Sequence, residues 1–171
     1  MRRTSSPLRL HVADLLRRPG ERRDIEVDVV LDGLEISVSR VPEAAPLDVA
    51  LHLESVPHGI VATGRVKAPW TGECRRCLRP VDGTLDVRFQ EVFEDEPVED
   101  ETWPLEGDQI DVEPVVREAV TLDLPLAPLC EEDCRGLCPE CGADRNEADC
   151  GHAIDTSDPR WQALDSLRFD N

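Results

Sequence analysis

The segment CEEDCRGLCPECGADRNEADCGH, residues 130–152, holds five cysteines and one histidine: Cys130, Cys134, Cys138, Cys141, Cys150 and His152. That is two ligands too many for one tetrahedral metal ion and two too few for a pair. Within it, CPECG places Cys138 and Cys141 at the spacing that aims two thiolates at one ion. A proline after the first cysteine stiffens the turn, and Gly142 lets the backbone fold back so that amides face the sulfurs. Cys150 and His152 follow in CGH and complete a compact set of four. Cys130 and Cys134 remain, and they need two partners from elsewhere.

Those partners stand far upstream in GECRRCLRP, where Cys74 and Cys77 form the other C-x-x-C. The count then closes, with seven cysteines and one histidine making two sets of four. One set is long-range (Cys74, Cys77, Cys130, Cys134) and the other local (Cys138, Cys141, Cys150, His152). A different partition stays open, a ribbon of Cys74, Cys77, Cys138 and Cys141 with the other four residues outside it. Four protein ligands leave no position for water, so both sets read as structural zinc sites, two ions per chain, and not as catalytic centres. A thioredoxin-type redox pair needs its C-x-x-C at a helix N-terminus in a βαβ setting, which neither pair has.

An odd cysteine count without an apolar export segment after MRRTSSPLRLHVADLL argues against a secreted disulfide scaffold. No window approaches the roughly 18 apolar residues of a membrane span. The expectation is a soluble chain in a reducing cytoplasm. Its net charge of -18 repels phosphate backbones, and aromatics at 4%, with no tyrosine, disfavour a base-stacking RNA surface. Against that acidic field, Arg75, Arg76 and Arg79 form a local basic cluster around the upstream knuckle. They either offset the thiolate charge or contact RNA phosphate. No nucleophile elbow, phosphate loop, dinucleotide fingerprint or pair of isolated carboxylates is present, so the chain reads as no enzyme and as having no small-molecule substrate.

Alternating patterns dominate the first half. IEVDVVL (25–31) and LEISVS, joined by Asp32-Gly33, predict a hairpin with a tight primed turn. LDVALHLES (47–55), IVATGRVKA (60–68) and TLDVRFQEVF (84–93) add three more strands, with Pro57-His58-Gly59 as a turn. LHVADLLRR (10–18) predicts a short helix stopped by Pro19-Gly20. The acidic, proline-punctuated stretch 91–108 reads as a solvated connection. Val112, Val115, Val116, Ala119 and Val120 restore helical spacing over about 111–121, with Asp111 placed to cap and Pro114 in the first turn. A final short helix is expected with Asp158 as N-cap and Pro159 at its first position. The fold class is therefore α+β: an antiparallel sheet or small β-barrel with flanking helices over residues 1–125, and a zinc-knuckle-like tail over 126–171.

In chain order, the distinctive parts are Gly72, Cys74, Arg76, Cys77 and Leu78 in G-x-C-x-R-C-L, the lead-in LDLPLAPLC, the cluster C-x-x-x-C-x-G-L-C-P-x-C-G, and DPRWQALDSL. Together they resemble the YceD family, the large ribosomal RNA subunit accumulation proteins, over nearly the whole chain. The upstream C-x-R-C of that family is matched by Cys74, Arg76 and Cys77. Its more variable tail cluster is matched by Cys130, Cys134, Cys138, Cys141 and Cys150. His152 stands where similar proteins often carry a further cysteine, and either residue binds zinc. The resemblance implies a non-enzymatic bacterial factor for accumulation or processing of the 23S ribosomal RNA precursor, partnered with that RNA or with a large-subunit precursor. The charge and the acidic run 91–101 support a second class, an interaction module or chaperone for a basic ribosomal protein.

Overall fold

The structure is a computed structural model and describes residues 6–152 and Arg160. In chain order the elements are β1 (Arg9–His11), α1 (Ala13–Leu16), β2 (Arg22–Val30), β3 (Ser39–Arg40), β4 (Pro46–Val56), β5 (Gly59–Glu73), β6 (Pro80–Glu94), β7 (Trp103–Glu106), β8 (Gln109–Asp111) and α2 (Glu113–Asp123). They build one sheet in the order β1-β8-β7-β6-β5-β4-β2, with β3 also on β5.

Period-two alternation explains its central strands. Leu47, Val49, Leu51 and Leu53 of β4 are buried, as are Ile60, Ala62, Val66 and Ala68 of β5. In register they meet across the ladder, Val49 opposite Val66 and Leu53 opposite Ala62. The β5–β6 ladder continues this face, with Ala68 opposite Leu85 and Ile60 opposite Phe93. Gly64 faces Phe89, and a Cβ at Gly64 would run into the Phe89 ring, so the glycine gives the aromatic its seat. α2 lays Val115, Val116 and Val120 into the same core. The Glu113 amide donates to Asp111 Oδ1 at 3.0 Å, with Pro114 in the first turn as its fixed φ allows. α2 stops where Leu124, preceding Pro125, turns to an extended conformation.

Several expectations are corrected. The hairpin across Asp32-Gly33 does not form. β2 pairs instead with β4, Ile25 opposite Leu51 and Val29 opposite Leu47. Gly33, at φ 75°, does turn the chain, but LEISVS leaves the sheet and returns only as the two-residue β3, with Ser39 opposite Gly72. The reason is length and burial. β4 offers β2 an eleven-residue partner that buries Leu47, Val49, Leu51 and Leu53, whereas Val38 of the shorter segment stays exposed.

The expected helix over 10–18 shrinks to Ala13–Leu16, because Leu8, Leu10 and Val12 alternate and put β1 on β8, Leu10 opposite Ile110. The sheet is also mixed, since the acidic connection ends in β7, which runs parallel to β6 with Phe93 opposite Trp103. The Trp103 indole N–H donates to Glu91 Oε2 at 3.1 Å, and the Thr102 hydroxyl to Glu94 Oε1 at 2.8 Å, fastening both ends of that connection.

No ladder joins β1 to β2 among the described residues, so the sheet is a half-barrel and not a closed one. The Arg23 guanidinium spans the gap, donating to the His11 carbonyl at 2.7 Å and pairing with Asp14. Among the described residues no helix is long and apolar enough to cross a membrane. The expected final helix with Asp158 and Pro159 lies outside the described residues.

Candidate metal centres

β5 and β6 form a hairpin of 15-residue strands, and the CRRC turn sits at its tip, between Glu73 and Pro80. The Cys74 amide donates to the Arg79 carbonyl and the Leu78 amide to the Cys74 carbonyl, both at 2.8 Å, with Leu78 at φ 60°. This tight turn points both sulfurs the same way. The Arg75 amide donates to the Pro128 carbonyl at 2.9 Å and so brings the LPLAPLC lead-in against the hairpin tip. Cys130 and Cys134 thereby arrive beside Cys74 and Cys77, and the four sulfurs all lie within 4.8 Å of one another.

Their spacing suits a metal and not a disulfide. Cys74 Sγ is 3.8 Å from Cys134 Sγ, and Cys77 Sγ is 3.5 Å from Cys130 Sγ. A tetrahedron with metal–sulfur bonds of about 2.3 Å has edges of about 3.8 Å, whereas a disulfide needs about 2.0 Å. Cys138, Cys141, Cys150 and His152 form the second set within the same limit. Cys138 Sγ lies 3.6 Å from His152 Nδ1, the edge expected when sulfur at about 2.3 Å and imidazole nitrogen at about 2.0 Å share an ion. The knuckle is closed by the Gly142 amide on the Cys138 carbonyl and the Cys138 amide on the Ala143 carbonyl, each at 2.8 Å. Both clusters could hold metal ions. The ribbon alternative is not the arrangement adopted, because Cys74 and Cys77 gather with Cys130 and Cys134 and not with Cys138 and Cys141.

The two sites differ in shelter. In the first, Cys74, Cys77 and Cys134 are buried, with Leu129, Leu137 and Val81 packed around them. In the second, Cys138 is buried but Cys141 and His152 are exposed. Each site has one thiol that ionises readily. Burial disfavours the Cys74 thiolate, but the amides of Cys130, Cys77 and Arg76 outweigh it and bring the thiol down to about 6. The amides of Cys141 and Glu140 likewise bring Cys138 to about 6. Cys130 is pushed up to about 12 by burial and by the neighbouring sulfurs of Cys134, Cys77 and Cys74. Four thiolates this close repel one another, and a divalent cation at their centre removes that repulsion.

The three arginines do not form one free basic patch. Arg76 Nη1 donates to the carbonyls of Glu132 at 3.1 Å and Cys134 at 2.9 Å, clamping the tail on the hairpin. Arg79 pairs with Asp144 at 2.7 Å and Glu147 at 3.0 Å. Arg75 is exposed, and among the described residues its side chain has no partner. Sequence reasoning missed Asp144 and Asn146, which lie between Cys141 and Cys150. Asn146 Nδ2 donates to Cys134 Sγ at 3.4 Å, a link between the clusters that spacing along the chain does not show.

Comparison with known proteins agrees with these blocks. The family model for the large ribosomal RNA subunit accumulation protein YceD matches residues 62–168, a span that includes all eight ligand candidates. A Mycobacterium tuberculosis (strain H37Rv) protein is 39% identical over 173 residues, covering 95% of this chain and 82% of the relative. The large ribosomal RNA subunit accumulation protein YCED homolog 1, chloroplastic, of Arabidopsis thaliana is 23% identical over 171 residues, covering 80% of this chain and 53% of the relative. The protein YlbN of Bacillus subtilis (strain 168) is 30% identical over 99 residues, covering 55% and 58%. No solved structure matches. The family match spans the hairpin tip and the tail that docks on it, and the chain belongs to the YceD family of large ribosomal RNA subunit accumulation proteins.

Proposed function

We propose that this chain is a non-enzymatic, cytoplasmic factor that supports accumulation or processing of the 23S ribosomal RNA precursor and assembly of the large subunit. The observation that carries the reading is the family match over residues 62–168, which includes both four-ligand clusters. In it, residues 1–125 are the sheet unit and residues 126–171 a tail organised by two structural zinc ions. A zinc ion with four protein ligands has no open position for substrate or water, in keeping with a scaffold. Tetrahedral donor sets of four sulfurs, or of three sulfurs and one nitrogen, favour zinc among the common divalent metals. Arg75, exposed at the hairpin tip beside the first cluster, is the side chain best placed to meet RNA phosphate.

Gradient sedimentation of the tagged protein from growing cells tests this. The protein should travel with large-subunit precursors, and Arg75→Ala should weaken that without altering the fold. Sedimentation only at the top of the gradient, with 23S ribosomal RNA levels unchanged on depletion, overturns it. A second reading, an interaction module for a basic ribosomal protein, is favoured by the exposed Asp95, Glu96, Glu99, Asp100 and Glu101 between β6 and β7. Recovery of a basic ribosomal protein that depends on those carboxylates supports this reading, and recovery of RNA alone rejects it.

A further inference from the structure

The two clusters are built into each other. Asn146 belongs to the loop that joins Cys141 to Cys150, yet its amide nitrogen donates to Cys134 Sγ in the other cluster at 3.4 Å. Its orientation is fixed on both sides. Its Oδ1 accepts from the Arg135 amide at 2.7 Å, while its Nδ2 and backbone N–H both donate to Asp144 Oδ1 at 2.8 Å. Asp144 in turn pairs through Oδ2 with Arg79, which follows the hairpin cysteines. Main-chain bonds run the same way, from the Leu137 amide to the Arg76 carbonyl at 3.1 Å and from the Arg145 amide to the Gly136 carbonyl at 2.9 Å.

The geometry points to Asn146 as a positioning residue that couples the affinities of the two metal sites, so that filling the local knuckle strengthens the long-range staple. This rests on the two-zinc reading above. An N–H donated to a metal-bound thiolate draws off negative charge, which matters most in the first cluster, where four thiolates surround one divalent ion. Asn146 reaches Cys134 only while the 141–150 loop is folded, and that loop is closed by the second cluster's own ligands. The second cluster has Cys141 and His152 exposed, so it is the one open to chelators and competing metals. Losing its ion frees the loop, withdraws the N–H from Cys134 and loosens the better-sheltered site. By linkage the effect is reciprocal.

The test is competitive metal binding to the full chain, with metal content measured directly and with cobalt(II) as a probe, whose absorption distinguishes four-sulfur from three-sulfur, one-nitrogen sites. Wild type should bind two ions. Asn146→Ala keeps all eight ligands and should lower the affinity of the four-sulfur site by about 10–100-fold. Asn146→Asp would set a carboxylate against Asp144 and the thiolates and should not restore affinity. The discriminating readout is the sulfur-to-cobalt charge-transfer absorption of the saturated four-sulfur site, which loss of the N–H in Asn146→Ala should shift and a purely loop-shaping role would leave unchanged. Cys141→Ser, which disables the local site, should weaken the four-sulfur site to a similar degree. Two ions bound by wild type, with unchanged four-sulfur affinity in Asn146→Ala and Cys141→Ser, overturn the coupling and leave the two-zinc reading standing. Fewer than two ions in wild type overturns both.

Discussion

Chelating the metal should unfold the tail while leaving the sheet intact, and the magnitudes explain why. Ordering the segment from Cys130 to His152 at about 1–2 kcal/mol per residue costs on the order of 20–40 kcal/mol. The apolar burial available to offset this is small. Leu137 and the adjoining Leu129 and Val81 are the hydrophobic residues packed around the first cluster, and each contributes at most about 2–3 kcal/mol. Two structural zinc ions, as proposed above, would supply the missing scale of energy at about 10–16 kcal/mol each. The sheet depends on none of this, since its core of Leu47, Val49, Leu53, Ile60, Val66, Phe93 and Val116 is a separate cluster from the one around the cysteines.

Hydrogen exchange read by mass spectrometry, with and without a chelator under reducing conditions, distinguishes the two regions. The amides of Leu137, Cys138, Gly142 and Arg145, bonded within the tail or to the Arg76 carbonyl, should lose their protection. Amides of the β4–β5 and β5–β6 ladders should keep theirs. A tail that stays protected after metal analysis reads zero would refute the reasoning, because nothing else in the segment is large enough to hold it.

The parts of this structure legible in the sequence are those whose signal is local or countable. Leu47, Val49, Leu51 and Leu53 announce an inward face through alternation alone, and that face is buried. Counting favours two sets of four over the ribbon, because a surplus pair in the tail calls for a second pair elsewhere, and the structure gathers those two sets. The failures are cases of competition between partners. Asp32-Gly33 is good turn chemistry, but β4 outcompetes LEISVS for β2 because it is longer and buries more. β1 is hidden because Leu8, Leu10 and Val12 make too short an alternation to stand out beside the ADLL that follows. The roles of Arg76 and Arg79 are invisible for another reason. Their partners, the Cys134 carbonyl and Asp144, are neighbours only after the tail has docked, so composition could read them as a patch but not as clamps.

Three further perturbations follow from the same geometry. Gly64→Ala puts a methyl group into the Phe89 ring at the middle of the sheet and should cost about 1–3 kcal/mol, read as a lower denaturant midpoint at unchanged slope. Metal retention should fall on acidification. Each thiol must give up its proton to bind the metal, so affinity should fall as pH falls, and more steeply below about 6, where Cys74 and Cys138 also hold their protons in the metal-free fold; a competitive affinity independent of pH would refute thiolate ligation. Gly136→Ala tests the docking of the tail on the hairpin. Gly136 sits at φ 71°, a region that costs other residues about 1–2 kcal/mol, and a Cβ there would lie 2.9 Å from the Arg76 carbonyl oxygen. That oxygen accepts the Leu137 amide, and the neighbouring Arg76 guanidinium holds the Cys134 carbonyl, so backbone on both sides resists the shift that would make room. The variant should therefore exchange faster at Leu137 and Arg145 and release metal from the four-sulfur site more readily, with the β4–β6 amides unchanged. If exchange and metal release match wild type, the hairpin tip and the tail are not clamped at Gly136, and the docking must be carried by the ligands and the contacts of Arg75, Arg76 and Arg79.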